Sequence, residues 1–147
     1  MNPDCGADIV MTLGGFRPYD GHSPAVRLPF DDKTFDELAA YDSLEHWGQQ
    51  GDWRGWFDEM AEYHRILKPG GTFGVIVPLG ADALTDPGHT RFFYATWFSF
   101  LSQEFYKRAM EQGASVTDYR WYWKLDFDVL HSESNSHHLS VMLRKPA

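Results

Sequence analysis

The stretch from Asp52 to Pro78 constrains this chain more than any other. Trp53, Trp56, Phe57, Met60, His64 and Leu67 recur at the i, i+3, i+4, i+7 spacing of one helical face, behind an Asp52 able to cap the first turn. Arg65 and Lys68 stand where cations favour the negative end of a helix, and Pro69-Gly70-Gly71 cannot continue it. Thr72 to Val77 (TFGVIV) follows as an apolar run ended by Pro78, the pattern of a buried strand. Helix, tight turn and buried strand make half of an α/β unit.

The rest of the chain supplies the remaining elements. Asp8 to Leu13 (DIVMTL) reads as a short strand stopped by Gly14-Gly15. Residues 14–27 hold three glycines and two prolines and read as a loop. Phe35 to Tyr41 fits a strand or the first turns of a helix, and periodicity alone does not decide. Ala95 to Gln112 predicts one helix, with Phe98, Leu101, Phe105 and Ala109 on a stripe and Gly113 as its C-terminal cap. From Tyr119 to Leu130 apolar and polar residues alternate, predicting a strand. A turn at Ser132 to Ser136 and a second alternation at Leu139, Val141 and Leu143 close a C-terminal antiparallel hairpin. The fold class expected is α/β, within a single domain spanning 1–147.

Composition narrows the function. The chain has 147 residues, 43% of them hydrophobic and 16% aromatic, enough for a sizeable core. Its formal charge of −8 repels a phosphate backbone, so a nucleic-acid partner is disfavoured. Cys5 stands alone, which excludes an internal disulfide. Nothing approaches a membrane-spanning length and Met1 to Ala7 lacks the pattern of a signal peptide, so a cytoplasmic location and no membrane partner are expected. The absence of G-x-S-x-G and Walker sequences leaves hydrolase and phosphoryl-transfer readings without a motif.

Three pieces in order carry a resemblance: Leu28-Pro29-Phe30-Asp31-Asp32 with Phe35-Asp36, then Leu44-Glu45-His46, then Arg65-Ile66-Leu67-Lys68-Pro69-Gly70-Gly71. Together with Asp86-Pro87-Gly88-His89-Thr90-Arg91-Phe92-Phe93, the order resembles the class I S-adenosylmethionine-dependent methyltransferases, the small type-11 kind in particular. The resemblance implies a Rossmann-like sheet, N-terminally truncated, in which Asp8 to Leu13 is the third strand and Phe35 to Tyr41 the fourth. The family's Gly-rich loop and ribose-binding carboxylate would lie upstream of Met1. It implies S-adenosylmethionine as cofactor and methyl transfer to an unidentified small-molecule acceptor. The alternative is a non-catalytic remnant acting as an interaction or accessory domain. An uncovered central strand edge in such a sheet also implies pairing with a second copy.

On this resemblance Thr12 and Leu13, and Tyr41 and Asp42 at the C-terminal end of the fourth strand, would contact the cofactor. Asp42 capping the next turn and Tyr41 packing as a core aromatic is an equally plain reading. Glu45 and His46 are candidates to touch a substrate, set against a reading as surface polar residues. His89 and Arg91 are candidates for a substrate-contacting lid; the plainer reading is a helix lead-in with Arg91 solvated and Phe92-Phe93 buried. No catalytic base is assigned, because the sulfonium is already activated and alignment supplies most of the catalysis. His64 reads as a core histidine. No metal site is expected: adjacent strand positions send His137 and His138 to opposite faces, and no HExxH or cysteine pattern is present. By the same alternation Tyr122 should point away from Trp121 and Trp123.

Overall fold

The computed structural model describes residues 27–147. Its architecture is mixed α/β, with a four-stranded sheet against which α-helices pack. The strands are β1 (Phe35–Tyr41), β2 (Leu67–Pro78), β3 (Asp128–Ser134) and β4 (His138–Arg144), in the spatial order β1-β2-β4-β3. The helices are α1 (Trp53–Ile66), α2 (Gly80–Thr85), α3 (Ala95–Ser99) and α4 (Gln103–Glu111). The expected strand Asp8 to Leu13 and nearly all of the loop after it lie outside the described residues.

Phe35 to Tyr41 resolves as a strand. It pairs in parallel with β2, Leu38 opposite Phe73 and Tyr41 opposite Ile76, and α1 forms the crossover that a parallel pair requires. The Asp52 carboxylate accepts from Gly55 N at 3.0 Å, capping α1, which buries Trp56, Phe57, Met60 and Ile66. Beneath it Phe73, Val75 and Val77 of β2 alternate into the core, continued by Leu139, Val141 and Leu143 of β4.

Strand β2 begins earlier than the sequence predicts. Helix α1 ends at Ile66, before Pro69-Gly70-Gly71, and that segment stays on the sheet as a bulge in which Leu67 pairs with Phe35 and Thr72 with Glu37. Gly70 sits at φ +81°, and a side chain on Gly71 would stand 2.9 Å from the carbonyl oxygens of Asp36 and Lys68. The Lys145 ammonium satisfies two carbonyls left open at the helix end, those of His64 (2.8 Å) and Leu67 (2.9 Å). Arg65 reaches the other way, to Glu62, Asp32 and the carbonyls of Leu28 and Phe30, tying the Leu28 to Asp32 segment onto α1.

Two expectations fail for one reason. Instead of one helix from Ala95 to Gln112, the chain breaks at Phe100 to Ser102 between α3 and α4. Instead of a strand from Tyr119, residues 119–127 form turns and irregular chain, and β3 starts at Asp128. The two departures bind each other. The Leu101 carbonyl accepts from Phe127 N (3.0 Å) and from the Trp123 indole (2.9 Å), and the Asp126 carboxylate accepts from Gln103 N (2.8 Å), the first residue of α4. Tyr119 and Tyr122 pack with Trp121 around Trp53 of α1, so Tyr122 joins Trp121 rather than facing away, while Trp123 is buried in the core. Gly113 ends α4 at φ +64°, as its position predicts. The antiparallel hairpin forms, with its turn at 135–137.

Candidate functional site

The C-terminal end of the parallel pair is where open α/β sheets place ligands, and the chain makes a corner there. The Asp42 amide donates to the Ile76 carbonyl at 2.9 Å, extending the β1 pairing by one residue, and Asp42 itself turns at φ +47°. A residue with a Cβ in this left-handed region is uncommon, Asp being among the types that tolerate it. A 3-10 turn, Leu44–His46, follows, with Leu44 buried in the core and Glu45 buried behind it.

Tyr41 and Asp42 face solvent; Tyr41 is 53% exposed. The Tyr41 ring lies across Gly74, its Oη 3.4 Å from where a Cβ on that glycine would stand. The Asp42 carboxylate faces His138 Nε2 at 3.7 Å. An open hollow of about 400 Å³ runs along Arg27 to Asp31, none of which belongs to this corner.

The second wall is the loop after α2. Thr90 N and Arg91 N both donate to the Glu45 carbonyl (2.9 and 3.2 Å), Thr90 Oγ1 donates to the Gly48 carbonyl (2.7 Å), and Phe92 N donates to Gln50 Oε1 (2.7 Å). These bonds seat the 86–93 loop on the turn after β1. Within it Gly88 N donates to Asp86 Oδ1 at 2.7 Å, and a side chain on Gly88 would meet His46 Nδ1 at 3.2 Å.

This seating gathers three of the four substrate-side candidates. One ligand-type atom from each of Glu45, His46 and His89 lies within 4.8 Å of the others. The two imidazoles meet edge to face with centroids 4.7 Å apart. Nδ1 of His46 lies 3.1 Å from the Gly88 carbonyl, and Nδ1 of His89 lies 2.9 Å from the Ala83 carbonyl. Glu45 Oε1 and Asp86 Oδ2 each stand 3.9 Å from His89 Nε2. Burial pushes the Glu45 carboxyl up from its ordinary value.

Arg91 is not solvated. Only 2% exposed, it donates from Nη1 to Glu59 Oε2 at 2.5 Å, while Phe93 is buried and Phe92 half-buried. Its guanidinium fills the space over Gly48, where a Cβ would collide with Nη2. Burial raises the Glu59 carboxyl even against the neighbouring guanidinium. Arg91 therefore holds the loop from behind and does not reach the open face. Thr12 and Leu13 lie outside the described residues. Sequence reasoning passed over Asp86 and Glu59; the first sat in the quoted Asp86-Pro87-Gly88-His89 motif, and the second carries no signal beyond its place on α1.

Residues 19–75 match the family model of a methyltransferase domain. No curated protein sequence matches the chain. Among solved structures it is similar to the 1,6-didemethyltoxoflavin-N1-methyltransferase of Burkholderia thailandensis, solved with 1,6-didemethyltoxoflavin and S-adenosylhomocysteine bound. The identity is 17% over 79% of this chain and 46% of that one, with a TM-score of 0.46. It is also similar to a SAM-dependent methyltransferase from Methanosarcina mazei, at 16% identity over 81% of this chain and 63% of that one, with a TM-score of 0.45. The chain spans less than two thirds of the length of either structure.

Proposed function

We propose that the chain, whose residues 19–75 match the methyltransferase-domain model, binds S-adenosylmethionine at the Tyr41 and Asp42 corner and serves methyl transfer to a small-molecule acceptor. The observation that carries this reading is the parallel β1-α1-β2 unit, which ends in an exposed aromatic and an exposed carboxylate at its C-terminal edge.

The residues present suit the amino-acid end of that cofactor. The Asp42 carboxylate is an acceptor for an ammonium group, and the Tyr41 ring offers a face to a cationic centre. When bound, the cofactor supplies a methyl group already activated on a sulfonium. What the chain has to add is position: Gly74 leaves room for the Tyr41 ring, and the Asp42 N to Ile76 O bond fixes the backbone that carries the carboxylate. Glu45 and His46 follow the corner in the chain, and the 86–93 loop seats His89 against them. No helix among the described residues is long and apolar enough to cross a membrane.

Isothermal titration with S-adenosylmethionine tests the reading. Binding stronger than about 1 mM, weakened at least about tenfold in Asp42→Ala, is the expected result. Heats absent at millimolar cofactor would leave an accessory domain without catalysis as the function and overturn this one.

A further inference from the structure

We infer that Glu45, His46 and His89 form a binding site for a divalent transition-metal ion, with Asp86 as an outer carboxylate. Two imidazoles and one carboxylate converge from two separate loops, and their nearest ligand-type atoms already lie within 4.8 Å of one another. A first-row ion with bonds of about 2.1 Å holds its donors roughly 3 to 4 Å apart, so loading takes a side-chain adjustment of roughly 1 Å.

Three further observations point to an ion rather than to a satisfied polar cluster. Each imidazole directs Nδ1 at a backbone carbonyl, Gly88 for His46 and Ala83 for His89. A proton on Nδ1 leaves the lone pair on Nε2, the arrangement in which metal-ligating histidines are held by their surroundings. The Glu45 side chain is only 2% exposed, and its Oε2 has no hydrogen-bond partner, while Oε1 stands 3.9 Å from His89 Nε2. A buried carboxylate of this kind calls for a cation. Arg91, the buried guanidinium of the same loop, donates instead to Glu59. Finally Asp86, about half exposed, places Oδ2 3.9 Å from His89 Nε2 on the solvent side, where an ion would keep positions open for water or a ligand.

Two imidazoles with a carboxylate favour zinc, iron, cobalt, nickel or manganese over magnesium or calcium, which prefer oxygen donors throughout. A metal here departs from the expectation, drawn from the sequence, of no metal site. Its role, unlike its existence, rests on the methyltransferase reading: three residues beyond Asp42, the ion would hold an acceptor through an oxygen atom and ease the loss of its proton.

The test is a Co²⁺ titration of the full, chelator-stripped chain, followed by visible d–d absorption and by the shift in thermal midpoint. One ion per chain is expected, with a Kd of about 10 μM or tighter and a rise in midpoint. His89→Ala and Glu45→Gln should each weaken binding at least about tenfold, whereas His131→Ala on the exposed hairpin should leave it unchanged. Glu45→Gln keeps the side-chain shape, and far-UV circular dichroism of the metal-free variants reports folding separately. No Co²⁺ spectrum at about 100 μM ion, or a spectrum that survives His89→Ala in a folded protein, overturns the site. Titrating S-adenosylmethionine into the same metal-free samples separates the two proposals. Cofactor binding without metal binding removes the ion alone, and metal binding without cofactor binding removes the transferase reading alone.

Discussion

At the residue scale, the buried Arg91 and Glu59 pair shows how a site loop is held from behind. Removing one partner strands the other as an uncompensated buried charge, which costs about 3 to 5 kcal/mol. Arg91→Met should therefore lower the urea-unfolding free energy by about 3 kcal/mol, and Glu59→Gln in the same chain should restore part of the loss. A single variant within about 0.5 kcal/mol of the parent would show the pair to be unimportant. His64 offers a pH test. Its ring meets Phe127 edge-on, and burial, aided by the Lys145 ammonium, lowers its pKa from 6.5 to about 4. The folded value lies below the unfolded one, so the contribution to stability is full above pH 6.5 and is lost as pH falls toward 4. Denaturation midpoints taken across that window should fall more steeply in the parent than in His64→Gln. Equal slopes would refute the assignment.

At the scale of elements, what could be read from the chain was what local chemistry decides. Asp52, the apolar stripe and Pro69-Gly70-Gly71 are all local signals: α1 begins where Asp52 places it, but it ends at Ile66, before the Pro69 stop, because Leu67 and Lys68 are already taken into β2. The α3 to α4 break was not legible, because what competes for the Leu101 carbonyl is an indole and an amide more than twenty residues away. The alternation from Tyr119 to Phe127 misled for the same reason: its aromatics are distributed between Trp53 and the core instead of across a pleat. Since Asp126 caps α4 from outside the helix, Asp126→Ala should destabilise the chain by about 1 kcal/mol. It should also speed amide exchange in the first turn of α4 while leaving α1 unaffected, and uniform acceleration throughout the protein would contradict that local role. The candidate site was legible in the same partial way. Glu45, His46 and His89 stood out by type, but their convergence depends on Thr90 and Arg91 bonding to the Glu45 carbonyl, which no spacing reveals.

At the scale of the whole molecule, one sheet serves two purposes. Its core face, from Phe73 to Leu143, supports the helices. Its C-terminal corner sets Tyr41 and Asp42 beside the Glu45, His46 and His89 cluster. The measurement that probes this juxtaposition most directly is a titration of the isotopically labelled chain with S-adenosylhomocysteine, followed by backbone amide chemical shifts. Perturbations centred on residues 41–46 and extending to 86–91 are expected, with Asp42→Ala abolishing them. Shifts confined to the β3–β4 hairpin, or no shifts at millimolar ligand, would contradict that expectation.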